Sequence, residues 1–190
     1  MLGKDAFVTG LVAALLVAVP SAHAACDLPV AKARAKHASH GDKAPLAIGD
    51  STMVFAVRYL ADRGFDADAR VCRSWTEGLE IVRERKQGGR LPSLVVMALG
   101  ANSWVRPIDV ERALKLLGPQ RTLGLVTHRT WFGKPGPDTG VIRRMARRYR
   151  GRVRLYDWVH YAAPHPDWFI NDGLHTTDAG SRQFAAFLTS

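Results

Sequence analysis

The sequence predicts an α/β fold, a three-layer sandwich with a parallel sheet of about five strands between two layers of helices. Two observations carry this. From residue 45 onward, short apolar stretches alternate about five times with longer helix-like stretches, with Gly and Pro at the joints. The run "LPSLVVMALG" is apolar almost throughout, which marks a strand buried on both faces. The 190 residues fit one domain, and a hydrophobic content of 47% is ample for a core.

The elements follow in order. "PLAIG" reads as a strand, and residues 52–63 as a helix stopped by Gly64. "FDADARV" alternates and reads as a strand. "TEGLEIVRERKQGG" is a helix ending at Gly88 and Gly89, and "LPSLVVMALG" is the central strand. "PIDVERALKLLG" opens with Pro107 and closes with Gly118, the asymmetry expected of a helix. "TLGLVTH" is a strand, and residues 129–139 are a Gly- and Pro-rich loop. "GVIRRMARRYRG" is a basic helix, "RVRLYD" a strand and "DAGSRQFAAFLTS" the closing helix.

Residues 1–24 read as a secretory signal peptide: Lys4, an apolar run over residues 10–19 too short to span a bilayer, and Ala22-His23-Ala24 as a cleavage pattern. An uncleaved amphipathic anchor and a lipoprotein modified at Cys26 are the alternatives. Residues 25–44 are basic and Ala-rich without a sustained apolar face, and read as a tether to a domain over residues 45–190. His37 and His40 lie there without a third ligand nearby, so no metal is expected. The two cysteines, Cys26 and Cys72, both survive cleavage. In an oxidising compartment they form either one disulfide or two unrelated thiols, and sequence leaves both open. The net charge of +10 favours an anionic surrounding. Arg143, Arg144, Arg147, Arg148, Arg150, Arg152 and Arg154 concentrate it, either as a solvated face or as a binding face for an anionic envelope polymer. Nucleic acid is not expected of an exported chain lacking an aromatic-interleaved basic platform.

Ligands of open α/β sheets bind beyond the carboxyl ends of the strands. The predicted strands deliver to that rim Asp50-Ser51, Cys72-Arg73-Ser74-Trp75, Gly100-Ala101-Asn102-Ser103 and, last, "NDGLHTT". Serine is a weak nucleophile until a base takes its proton and a third group orients the base. Asp172 and His175, three residues apart, can meet on one turn of chain, leaving the second imidazole nitrogen for Ser51. An oxyanion needs donors; the candidates are the Ser51 N–H, the Asn102 amide and the backbone at Cys72. Taken singly, Ser51 reads as a helix cap, Asp172 and Asn102 as turn residues and His175 as an ordinary surface or core histidine. Those plain readings must all hold together to explain the set away.

The blocks "GDS", "GAN" and "DGLH" resemble blocks I, III and V of the SGNH (GDSL-type) hydrolase superfamily, over roughly residues 45–190. "YDWVHYAAPHPDWFINDGLHTTDAGS" further resembles the C-terminal segment of the extracellular SGNH domain of peptidoglycan O-acetyltransferases. The resemblance implies a flavodoxin-like sheet, Ser51 as nucleophile, His175 as base, Asp172 as its orienter, and the Ser51 N–H and Asn102 as oxyanion donors. Block II departs from the pattern: Cys72 stands where the family carries a glycine, so the third donor rests on a backbone that a Cβ restricts. Ser103 replaces a frequent second acid of block III. The G-x-S-x-G elbow of α/β-hydrolases does not fit, since Met53 occupies its second glycine.

The expectation is a secreted or periplasmic serine esterase, acting without cofactor as a monomer. Its substrate would be an acylated carbohydrate or small ester, chiefly O-acetyl groups of the envelope. An O-acetyltransferase for an envelope glycan and an inactive binding module on the same fold are the rivals. The mature chain shows no transmembrane span that would supply acetyl groups, which favours a hydrolase or a transferase with a separate donor partner. A disulfide between Cys26 and Cys72 would pin the tether beside the oxyanion hole and hold the Cys72 backbone as glycine would stand.

Overall fold

In a computed structural model, the structure describes Cys26, residues 30–36 and residues 43–190. The expected signal peptide, and His37 and His40, lie outside the described residues. Six strands form one sheet: β1 (Ala31–Ala33), β2 (Leu46–Gly49), β3 (Asp66–Ala69), β4 (Leu94–Ala98), β5 (Thr122–Val126) and β6 (Val153–Tyr156). Their order is β1-β3-β2-β4-β5-β6, parallel except for β1, which runs antiparallel to β3. The helices are α1 (Val57–Asp62), α2 (Trp75–Gln87), α3 (Pro107–Leu117), α4 (Thr139–Arg148), α5 (Trp158–Tyr161) and α6 (Asp178–Leu188).

Two expectations are corrected. The five parallel strands stand as expected, but residues expected to be a tether add a sixth, antiparallel strand at the edge. Ala31, Lys32 and Ala33 alternate small apolar with charged, which suits an edge strand; Lys32 pairs with Asp68, and a lysine there blunts the exposed edge. A three-residue strand has too little pattern to stand out from an Ala-rich stretch. The first helix is also not uniform. Ser51–Ala56 winds as a tighter 3₁₀ helix before α1, because the Asp50 side chain accepts from Thr52 N–H and turns the chain sharply out of β2.

The core lies in two slabs, one on each face of the sheet. On one face α2, α3 and α4 pack Val82, Val110, Leu117 and Ile142 against Ile48, Val95, Met97 and Leu125. On the other, the 3₁₀ helix, α1 and α6 close over Ala47, Val96 and Val126 with Met53, Leu60 and Phe184. Trp158 is the keystone of this second slab: buried, it touches Trp168, Phe169, Phe184 and Phe187 with ring centroids 5.1–6.1 Å apart. That cluster seats the irregular segment that carries Asp172 and His175. From β2 the chain goes to β3 on one side and to β4 on the other. The topological switch point therefore falls between β2 and β4, where α/β sheets open a crevice at their carboxyl ends.

Candidate active site

Ser51 is separated from β2 by one residue, the N-cap Asp50, and starts the 3₁₀ helix. Its Oγ stands 3.0 Å from Nε2 of His175, and His175 Nδ1 stands 2.7 Å from Oδ2 of Asp172. The order of bonds sets the tautomer: Nδ1–H donates to the carboxylate, and Nε2 is left to accept from the serine hydroxyl. Asp172 is itself fixed, because its Oδ1 accepts from the backbone N–H of Leu174 at 2.8 Å and of His175 at 2.9 Å. Partial burial works against its charge, yet the bonds from His175 and Leu174 outweigh that and hold the carboxyl below its ordinary value.

The turn carrying these residues depends on Gly173. Its φ of 69° is left-handed, and a Cβ there would come within 2.4 Å of the Gly133 nitrogen. Only glycine lets the turn pass so close under the loop at Trp131–Gly133. That loop is tied back: Phe132 N–H donates to the Asp172 carbonyl at 2.7 Å, and Trp131 meets the His175 ring edge-on at 6.1 Å.

Two further segments, the Asn102 loop and the Cys72 turn, are tied to the turn that carries Ser51. The Asp50 carboxylate, wholly buried, accepts from Thr52 N–H and Oγ1 through one oxygen and from Ala101 N–H through the other. It thus couples the serine turn to the loop of Asn102. Burial raises its pKa, and the bonds from Thr52 and Ala101 counter it in part. Ser103 Oγ accepts from Trp75 N–H at 2.8 Å, which couples the same loop to the start of α2 and the turn of Cys72. In place of an acid, Ser103 is a strut. Asn102 stands exposed on the loop between these two anchors. The N–H of Ser51 opens its helix, where backbone N–H groups have no intrahelical acceptor.

Cys72 is joined to Cys26 by a disulfide, with Cα atoms 5.3 Å apart. Its φ of 59° is left-handed, one of two such non-glycine residues among those described; the other is Phe132. Cys72 therefore adopts the backbone that a glycine would take freely. Behind it, Arg73 is buried: one guanidinium nitrogen meets Asp68 Oδ1 at 2.6 Å, and the other donates to the carbonyls of Gly49 and Asp68. Arg73, Asp50 and the strut role of Ser103 were not singled out from sequence. The signal existed only in part, since each sits beside a candidate residue at a strand end. Among the described residues no group of three or more His, Cys, Asp or Glu side chains can hold a metal, and no helix is long and apolar enough to cross a membrane.

Comparison with known proteins gives the following. No family model matches the chain. It is 27% identical over 150 residues to "Putative peptidoglycan O-acetyltransferase YrhL" of Bacillus subtilis, and 30% identical over 141 residues to "O-acetyltransferase OatA" of Staphylococcus aureus. These matches cover 77% and 73% of this chain, but the chain spans only 23% of the length of each relative. Among solved structures, the C-terminal catalytic domain of Streptococcus pneumoniae peptidoglycan O-acetyltransferase A superposes with a TM-score of 0.64 at 23% identity, covering 77% of this chain and 90% of that one. A "putative SGNH hydrolase" from Slackia heliotrinireducens gives 0.52 at 18% identity, covering 76% and 95%. The chain is thus similar in sequence to one stretch of these O-acetyltransferases, and it shares its fold with the O-acetyltransferase catalytic domain and the SGNH hydrolase neighbour.

Proposed function

We propose that this protein is an acetyl-transfer enzyme of the cell envelope, one that places acetyl groups on hydroxyls of peptidoglycan glycan through a Ser51 ester. The observation that carries the reading is the unbroken relay from Ser51 through His175 to Asp172, in a chain whose relatives are named peptidoglycan O-acetyltransferases. The hydrolase expected from sequence takes second place, supported by the hydrolase neighbour in fold.

In this reading Ser51 Oγ attacks the acetyl carbonyl while His175 Nε2 takes its proton. The charge that develops on the carbonyl oxygen faces the N–H of Ser51, the backbone of Cys72 and the Asn102 amide. The tetrahedral species collapses, the donor's alcohol leaves with the proton from His175, and the acetyl stays on Ser51. An acceptor hydroxyl then gives its proton to Nε2 and attacks the ester, returning Ser51 and releasing the acetylated product. Asp172 holds the imidazole and balances the imidazolium at each stage. With water as acceptor, the same cycle is hydrolysis. The reading places the domain outside the cytoplasmic membrane, with residues 1–24 as its export signal. The exposed Arg144, Arg147 and Arg150 would draw it toward anionic envelope polymer.

The test supplies p-nitrophenyl acetate as donor to the protein with and without a chito-oligosaccharide acceptor. An acetylated oligosaccharide seen by mass spectrometry supports transfer. Nitrophenol release with acetate as the sole product, whatever the acceptor concentration, supports the hydrolase. No release at all sinks both.

A further inference from the structure

Soluble domains scatter single apolar residues over their surface, but a cluster of exposed aromatics at one place marks a binding surface. Among the described residues, four large hydrophobics are more than half exposed: Phe132 at 84%, Trp104 at 71%, Phe55 at 62% and Trp131 at 59%. All four lie on segments that carry or brace the Ser51 site. Phe55 is one turn along the helix that Ser51 begins. Trp104 follows the Asn102–Ser103 pair, and the next residue, Val105, donates its N–H to Asp138 at the end of the Trp131 loop at 2.7 Å. Trp131 touches the His175 ring, and Phe132 is bonded through its N–H to Asp172.

Phe132 is the telling member. Its φ of 62° is left-handed, a conformation disfavoured for a bulky side chain, and the ring it presents meets mostly solvent. Packing gives no return for holding an aromatic there. Strained backbone persists where function or surrounding structure requires it. Here the bond to the Asp172 carbonyl, the close seat of Gly173 beneath and the bond from Arg129 Nε to the Gly133 carbonyl hold the loop in place. The two rings are thus held in fixed relation to the base His175 and to Asp172, which orients it.

We propose that Trp131 and Phe132 form a stacking subsite for a pyranose ring, and that it positions the sugar whose hydroxyl exchanges the acetyl group at Ser51. The apolar C–H face of a pyranose matches a flat aromatic ring in size and polarity, while its rim of hydroxyls stays in water. A ring stacked on Trp131 sits beside His175, so its hydroxyl is within reach of the base. The proposal rests on the acetyl-transfer reading and adds to it the sugar-binding residues.

The test uses the N-acetylglucosamine pentamer as acceptor and p-nitrophenyl acetate as donor. Trp131→Ala and Phe132→Ala should each lower transfer to the pentamer about tenfold more than they lower aryl acetate cleavage, the scale of one lost stacked ring. The loss should appear in the acceptor KM, and Trp131→Phe should recover most of it. A second measurement does not depend on turnover: calorimetric titration of the pentamer into Ser51→Ala protein, with and without Trp131→Ala. Binding weakened about tenfold by Trp131→Ala supports the subsite even if wild type transfers nothing, in which case only the acetyl-transfer reading fails. Equal losses on both substrates, pentamer binding indifferent to Trp131, or no pentamer binding overturns the subsite.

Discussion

Asp172 carries out two tasks with one carboxylate: one oxygen orients His175, and the other closes its own turn on two backbone N–H groups. Asp172→Asn can keep the turn, since the amide oxygen still accepts, but the amide nitrogen would face Nδ1 and favour the wrong tautomer. Acetyl turnover should fall on the order of 10³–10⁴-fold with the fold intact. Because the Asp172 pKa is held below its ordinary value, its charge stabilises the fold above the unfolded value near ~3.9, and that contribution is lost as pH falls through the folded value. Melting curves should therefore show wild type ahead of Asp172→Asn at pH 7, with the gap closing below about pH 4. A gap that widens in acid would contradict the assigned bonds. Asp50 has the opposite sign: buried and raised, it serves geometry rather than charge. Asp50→Ala would leave the half-buried Ala101 and Thr52 N–H groups without their acceptor, at about 1 kcal/mol each in an unfolding titration, and loosen the Asn102 loop.

At the scale of elements, the turn after β3 explains how the chain does without a block II glycine. Cys72 holds a left-handed backbone, and the disulfide to Cys26 anchors the residue that must hold it. Closing a loop with a sequence separation of 46 is worth about 4 kcal/mol in the chain-entropy model. Two double variants separate the effects. Both Cys26→Ser with Cys72→Gly and Cys26→Ser with Cys72→Ala lose the crosslink. The glycine version takes the left-handed backbone freely, whereas alanine pays about 1–2 kcal/mol for it. Denaturant unfolding should rank the glycine variant above the alanine variant by that amount, with turnover better kept by glycine. Equal stability and equal rates would show that the backbone at Cys72 matters to neither. The strands β2–β6 and the helices α1–α4 and α6 were legible from their pattern and their Gly and Pro boundaries, whereas the one-turn helix α5 (Trp158–Tyr161) is too short to show a period. The edge strand Ala31–Ala33 was not legible either, because what makes it a strand is its pairing with β3, a partner more than 30 residues away.

Across the whole molecule, the sheet brings together residues that lie 124 apart in sequence, Ser51 and His175, while the aromatic slab around Trp158 seats the segment that delivers His175. Trp158→Ala should cost about 3–5 kcal/mol and reduce turnover along with stability, as read by parallel unfolding and rate measurements. Ser51, Asp172 and His175 could be picked out of the sequence because nucleophile, base and orienter sit in short blocks just past predicted strands. Arg73 and its buried partner Asp68 could not, because the alternation of "FDADARV" sets Asp68 on the face opposite Ala67 and Ala69, and only the fold shows that Arg73, past the strand, folds back to bury it. The aromatic ledge was hidden for the same reason: a Trp-Phe pair in a Gly- and Pro-rich loop acquires meaning only when the loop is seen bonded to Asp172. The account stands most directly on Ser51, and one measurement addresses it: turnover of p-nitrophenyl acetate by Ser51→Ala protein with an unchanged melting curve. The account predicts a rate lower by several powers of ten. A variant that keeps more than about a tenth of the wild-type rate would mean that the ester forms elsewhere.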